Sequence, residues 1–512
     1  MTLRQWAVVI TVAIAAMLEV VDVSIANVAL PHIQANLGAT VAEAGWVVTG
    51  YAMASVVMIP LSEWLSEQFG QRSYFVFCLI GFTGASVLCG LSSGLPTLVM
   101  ARIAQGLLGG GLMPKAQAIL FQVVPKAKQG IAQGVFGIGV LVGPVIGPTL
   151  GGYLTDGLSW RWIFFINVPI GVLTLLMALA FLPADADAAW ADSQGQPLTR
   201  RNRSVDWTGI VLLVAGLASL QVVLEQGHQL DWFDNAGIRQ LAVLTAVALP
   251  AFIWWELRTP APAVDLTVLR HRSLAAGSLF SMVLGMGLYG TVFVVPIFAQ
   301  SVLHYTATQT GLLMLPGALA SAFTMGVLGK NAQRVDPRLL IAIGAAAMVI
   351  TMLKLAQLSA NTNDQSLFWP LIFRGVTTVT MFLPLSLATL GPLPREDVGA
   401  GSGFYNLTRQ LGGSFGIAIL TLVLDHQQDV HRAQLLLHLN GTNPILQQRL
   451  EAMTRWMGGR GDQALQLLSL QVDQQAALLA YADVFRLVAI VFLAALPLVL
   501  LLGKPAQPQP SS

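Results

Sequence analysis

The chain has 512 residues, of which 55% are hydrophobic and only 10% charged, and its formal net charge is +2. An ordinary soluble domain carries roughly 25% charged residues, so this composition excludes one and points to a membrane protein. The net charge says nothing about nucleic acid, but the basic residues are scattered among the connections rather than clustered as on a nucleic-acid-binding surface.

In chain order, apolar runs long enough to cross a bilayer, about 20 residues each, recur near 7–30, 46–66, 74–93, 96–122, 132–155, 162–182, 207–225, 238–257, 274–298, 309–328, 338–358, 366–392, 403–424 and 484–503. The expectation is an all-α polytopic protein with 14 transmembrane helices. Fifteen basic residues, from Arg4 to Lys504, fall in the connections on one side, against Arg161 and Arg239 in short connections on the other. Lys and Arg in short loops stay cytoplasmic, so both termini are expected inside. The first run is too long for the apolar part of a signal peptide and contains Glu19 and Asp22, so it reads as a retained helix.

Ionisable groups within a span are costly and mark proton or substrate routes. Glu19 and Asp22 are three residues apart and share one helical face. Asp22 lies about 12 Å below the outer end of the first span, and Arg102 about 9 Å below that of the fourth, so acid and base share a depth. A proton carrier tuned by Arg102 and a buried ion pair that only fixes packing both fit this placement. Asn27 in the first span and Asn406 in the thirteenth fit either helix–helix hydrogen bonding or a substrate contact. Cys78 and Cys89, three turns apart on one helix, cannot bridge. Glu63 in the second span and Lys115 in the fourth sit at about 26 and 28 Å from the outer surface, which permits a salt bridge.

The fifth span carries Gly139, Gly143, Gly147 and Gly151 at a step of four, with Gly152 next to the last. A bare stripe of this kind admits a neighbouring helix or a ligand at close range. Pro144 and Pro148 on the adjoining stripe interrupt the hydrogen-bond ladder twice, as in a segment that bends or shelters a cavity. Pro125, Gly130 and Gly134 are echoed at the same spacing by Pro394, Gly399 and Gly403. Arg102 with Gly106 is echoed by Arg374 with Gly375, and Pro31 to Gly45 by Pro296 to Gly311. These repeats predict two related six-helix halves, 1–183 and 273–503, the architecture of the major facilitator type, with substrate held between them near the midplane. The remainder would be a cytoplasmic linker at 184–206, an inserted two-helix hairpin at 207–257 and a tail at 504–512. A long outer segment at 425–483 has the texture of amphipathic helices. The seven histidines show no paired metal-ligand spacing within a span, and no nucleophile motif occurs. Neither an enzyme nor a metal or other cofactor is expected.

The stretch from Leu18 to Pro31 resembles the first-helix motif of fourteen-helix drug:proton antiporters of the EmrB/QacA type. Arg102-x-x-Gln105-Gly106 resembles their fourth-helix motif, Gly139 to Gly152 their antiporter motif, and Trp162 to Gly171 their sixth-helix signature. The resemblance spans essentially the whole chain, and the long outer segment favours the EmrB branch. It implies a bacterial inner-membrane exporter of hydrophobic or amphipathic drugs driven by the proton-motive force, working with a periplasmic adaptor and an outer-membrane channel. Glu19 and Asp22 would then carry protons and Arg102 would tune them, while the glycine helix would let the halves rock. Met286, Tyr289, Phe293 and Phe298 on the ninth span, with Asn27, Arg374 and Asn406, would line the drug pocket; packing or lipid contact is the other reading of the ninth-span residues. The gating loop between spans two and three departs from its family pattern. Its acid is present as Glu67, with Gly70 and Arg72, but Glu63 stands at its first glycine and Gln68 at an arginine. An importer of a small organic solute stays open as an alternative, since fold does not set direction.

Overall fold

The computed structural model describes residues 1–186, 190, 204–332, 334–357, 364–439, 444–456 and 460–502. The linker expected at 184–206 lies largely outside them, and the tail at 504–512 entirely so. The described residues form α-helices and no strand. In order these are α1 (Leu3–Leu37), α2 (Val41–Phe69), α3 (Gln71–Leu91), α4 (Leu95–Gly109), α5 (Leu112–Val123), α6 (Gln129–Gly157), α7 (Trp162–Phe165), α8 (Asn167–Phe181) and α9 (Trp207–Gln226). There follow α10 (Ala236–Glu256), α11 (Arg272–Ser301), α12 (Ala307–Asn331), α13 (Pro337–Leu355), α14 (Asp364–Leu390), α15 (Val398–His438), α16 (Pro444–Trp456) and α17 (Gly461–Ala495). Capping residues set the helix starts: Thr2 and Gln5 close a capping box on α1, and Thr40 and Glu43 on α2. Gly38, at φ 64°, ends α1 in the left-handed conformation that glycine adopts without cost.

Among the described residues, thirteen helical stretches are long and apolar enough to cross a membrane. The run at 96–122, expected as one continuous helix, is instead cut into α4 and α5, of 15 and 12 residues. Three successive glycines, Gly109 to Gly111, give that segment little reason to stay helical. Gly110 lies against the backbone of Ser55, and the Tyr74 hydroxyl occupies the space a side chain at Gly111 would need. Pro114 lacks an N–H to continue the ladder.

The second correction concerns the outer segment. The spans expected to end at 424 and to begin at 484 are the membrane parts of much longer helices, α15 with 41 residues and α17 with 35. At 1.5 Å per residue α15 is about 60 Å long, twice the hydrocarbon core. The projecting parts are joined by His431 to Asp483 at 2.8 Å and Arg432 to Asp473 at 2.6 Å. α16 packs on α17, where Arg449 donates to Gln471 at 3.1 Å.

Glycines decide how the helices meet. Gly139, Gly143, Gly147 and Gly151 of α6 all face α1, lying against Ala13, Val20, Ser24 and Ile25. Pro148 cannot donate to the carbonyl of Pro144 four residues back. Ser24 of α1 supplies the missing donor, its hydroxyl 3.0 Å from that carbonyl. α11 meets α15 in the same way, with Gly285 on the Arg409 carbonyl and Gly412 on that of Met282. The echoed glycines have a different partner: Gly130 and Gly134 of α6 face Gly329 and Met325 of α12, while Gly399 and Gly403 of α15 face Glu63 and Ile59 of α2. The two repeats of the chain therefore cross at two corresponding places. Both lie toward one end of the molecule, called here the basic end because Arg72, Lys126 and Arg395 stand there.

Candidate functional site: a buried acid–arginine cluster

α1 carries Asp22 to the centre of the first helix group, where it is 2% exposed. Its Oδ2 accepts from Arg102 Nη1 at 2.6 Å, and its Oδ1 from Asn167 Nδ2 at 2.6 Å and Gln105 Nε2 at 3.1 Å. Arg102 is fully buried; it also donates to the Val47 carbonyl at 3.0 Å and to Gln105 Oε1 at 2.8 Å. Its guanidinium stacks 4.4 Å from the centre of the Tyr51 ring. Such a pair is costly to bury unless its remaining valences are filled; here most are, while Arg102 Nη2 and Asn167 Oδ1 have no hydrogen-bond partner among the described residues. Asn167 is in turn held by the Ser86 hydroxyl at 3.0 Å.

Glu19, one turn nearer the basic end, is held differently. The break between α4 and α5 leaves the first amides of α5 without carbonyl partners. One of them, Met113 N–H, donates to Glu19 Oε2 at 3.0 Å. Asp22 thus gathers three side-chain donors and Glu19 one backbone donor at a helix N-terminus, where a negative charge is favoured.

Sequence reasoning missed Gln105 and Asn167 as ligands of Asp22, although Gln105 lies one turn from Arg102 and Asn167 interrupts an apolar run. It also passed over Arg409, within the thirteenth span. This arginine is 1% exposed, rests within 6 Å of the Phe382 and Tyr405 ring centres and donates to Asn406 Oδ1 at 2.6 Å. Its Nη2 lies 2.8 Å from the Met113 sulfur, and it is within electrostatic reach of Glu19 across the two groups. Asn406 Nδ2 reaches Gln117 of α5 at 2.7 Å, so Asn406 bonds the groups together.

The other expected residues are scattered. Asn27 is exposed on α1. Arg374 is buried on α14, with Nη1 lacking a hydrogen-bond partner and no ion pair to Glu19 or Asp22 among the described residues. Met286 packs on Gly416 and Tyr289 on Gly413, both on α15, so these side chains fill the α11–α15 seam. Phe298 is buried edge-on against Tyr481 of α17, at 5.2 Å between ring centres. The side chain of Phe293 lies outside the described residues. In the gating loop, Gly70 turns at φ 101°, and Asp185 caps the start of α3 by accepting from Arg72 N–H at 2.7 Å. Arg72 Nη2 donates to the Leu179 carbonyl at 2.5 Å. Lys115 and Glu63 form the pair that their depths permitted, at 2.7 Å, and Lys115 Nζ also donates to Ser66 at 2.6 Å.

The family model described as Major Facilitator Superfamily matches residues 12–417. The multidrug export protein EmrB of Escherichia coli K12 is 34% identical over 491 residues, covering 96% of this chain and 94% of its own. The chain belongs to the Major Facilitator Superfamily, in its EmrB-type multidrug transporter branch. Similar relatives within that branch include the fatty acid resistance protein FarB of Neisseria gonorrhoeae, 30% identical with 97% and 96% of the two chains covered. The colistin resistance protein EmrB of Acinetobacter baumannii is 28% identical with 95% and 94% covered. Among solved structures, the human organic anion transporter MFSD10 superposes with a TM-score of 0.60 at 14% identity, covering 95% of this chain and 99% of that one. That likeness speaks for the fold alone; the family match and the apolar helices make this chain a multi-pass membrane transporter.

Proposed function

We propose that this transporter exports hydrophobic or amphipathic compounds in exchange for protons, with Glu19 and Asp22 as the proton-binding pair. The observation that carries the reading is the Asp22 cluster. Its carboxylate and Arg102 are buried together, and Asp22 stands on α1, the helix against which the glycine stripe of α6 packs closely. Protonation of Asp22 removes the charge that Arg102 holds, so binding a proton and parting α1 from α4 become one event. Glu19, held by a single amide, exchanges its proton with less rearrangement.

In this reading the basic end and both termini face the cytoplasm of a bacterial inner membrane, which the distribution of Lys and Arg supports. The projecting parts of α15 and α17, with α16, then stand in the periplasm. Leu437 at 82%, Leu470 at 64% and Trp456 at 80% are exposed there. An apolar surface of that kind fits an adaptor leading to an outer-membrane channel.

The test is transport in proteoliposomes under an imposed pH gradient. Asp22→Asn should fold and insert yet lose proton-driven export, because an amide of similar shape cannot cycle a proton. Glu19→Gln should have a smaller or substrate-dependent effect. Full activity of the Asp22→Asn protein would remove that residue from the mechanism.

A further inference from the structure

The proton-binding pair leaves Arg409 of α15 without a role. We propose that Arg409 is the residue by which this transporter selects amphipathic organic acids, taking the substrate carboxylate in its guanidinium fork. The inference rests on the export reading above and names a substrate class for it.

A cation at 1% exposure on a membrane-spanning helix is expensive unless an anion balances it. Among the described residues no carboxylate comes within ion-pair distance of Arg409. Its hydrogen-bond partners are Asn406 Oδ1 at 2.6 Å and the Met113 sulfur at 2.8 Å. Neither is charged, and a thioether sulfur is a weak acceptor. Arg409 Nη1 has no partner among the described residues. Arg102 shows the contrast, since Asp22 balances it at 2.6 Å.

Two more buried polar groups stand beside it. An arginine only donates, so Asn406 must turn Oδ1 toward it and Nδ2 away. That Nδ2 donates to Gln117 Oε1 of α5 at 2.7 Å, which orients the Gln117 amide in turn. Gln117 Nε2 is left over, buried and without a partner among the described residues. The Tyr405 hydroxyl, one turn before Arg409 on the same face of α15, is buried and unpartnered as well. The guanidinium carbon lies 5.9 Å from the Tyr405 ring centre and 5.5 Å from that of Phe382 on α14. Donors lacking acceptors, flanked by aromatic rings, match one kind of ligand: an oxyanion attached to an apolar or aromatic body.

The same residues fasten the two groups together. Ser402 donates to the Pro114 carbonyl at 2.8 Å, Asn406 to Gln117 and Arg409 to Met113, so α15 is tied to α5 at three successive turns. The seam is closed in this conformation. Parting α5 from α15 frees the fork, and Met113, unbranched and adaptable, moves aside at little cost. A carboxylate then replaces the sulfur at Nη2 and takes Nη1 with its second oxygen, the two-bond geometry that arginine favours. A neutral amide of the same shape offers one acceptor oxygen and no charge.

The test is binding, measured by calorimetry on the full chain in phosphatidylcholine nanodiscs, whose lipid carries no net charge. The probes are naphthoate and its neutral isostere naphthamide. The parent should bind the acid at least about tenfold more tightly, and in Arg409→Met the two affinities should come within about twofold of each other. Should Arg409→Met fail to fold, Met113→Glu decides, because a carboxylate built in beside Nη2 occupies the cation and should erase the same preference. No preference in the parent, or a parental preference in the folded variants, would overturn the inference. So would displacement of naphthoate by a few mole per cent of phosphatidylglycerol, which would assign the site to a lipid headgroup. Binding needs no pH gradient, so it separates from the coupling test. If the preference is absent while Asp22→Asn loses export, only this inference fails; if Asp22→Asn exports normally while the preference holds, the coupling reading fails and the acid site stands.

Discussion

Lys115 is 1% exposed within an apolar helix, and without Glu63 it would be an isolated cation in a place with almost no water. Removing one partner of such a pair costs about 3–5 kcal/mol, whereas removing both is often nearly neutral. Glu63→Gln or Lys115→Met alone should therefore lower the thermal stability of the detergent-purified protein, and the double change should restore it; additive losses would show that the charges do not couple. Depth along a helix is legible in a sequence because the rise per residue is fixed. Counting it paired Glu63 with Lys115 and put Asp22 level with Arg102. Azimuth is less legible, since each helix is rotated by packing that no single segment encodes. For that reason Asn167 and Gln105 are not legible as ligands of Asp22, and the sequence leaves pocket and packing open for Met286 and Tyr289, which in the structure pack on α15.

At the scale of the element, α6 shows what the paired prolines and the glycine stripe accomplish together. The prolines free carbonyls, the stripe brings α1 close enough for Ser24 to reach one of them, and the two helices are joined without a knob-in-hole lock. A Cβ at Gly147 would fall on the Ser24 side chain and one at Gly143 on Val20. Gly147→Val should force α1 and α6 apart and misplace Asp22, so that membrane insertion persists while export falls at least about tenfold; parental export rates in vesicles would count against this. The break between α4 and α5 was hidden because the run 96–122 is apolar throughout, and hydropathy does not register three glycines. The length of α15 was hidden for the opposite reason: apolar character fades near 424, while the helix, now polar and paired with α17, continues to 438.

For the whole molecule, the repeats in the sequence predict two related halves, and the structure adds that the echoed Gly130, Gly134, Gly399 and Gly403 lie where the two groups cross. The outer projection has no counterpart in the repeat. Shortening 440–462 should leave dye exchange by the purified protein unchanged while cells lose resistance and adaptor capture. Full resistance with adaptor retained would show that the exposed leucines serve another purpose.

The inserted hairpin touches both groups at the end opposite the basic one. Gln226 of α9 donates to Thr49 of α2 at 2.9 Å, and Gln221 of the same helix donates to Ser414 of α15 at 2.8 Å. Just beyond, His228 meets Asp425 of α15 at 3.2 Å, and Gln229 lies over Gly45 of α2. A helix fastened on both flanks is a strut, and a strut limits stroke. Opening this end stretches one set of bonds or the other, so the hairpin would limit how far the transporter gapes while, in the proposed mechanism, the central acids set when. Thr49→Val, which releases one flank and keeps the shape, should lengthen the distance between spin labels on the outer ends of α2 and α15 with proton coupling intact. An unchanged distance would mean the hairpin is carried along without restraining either side.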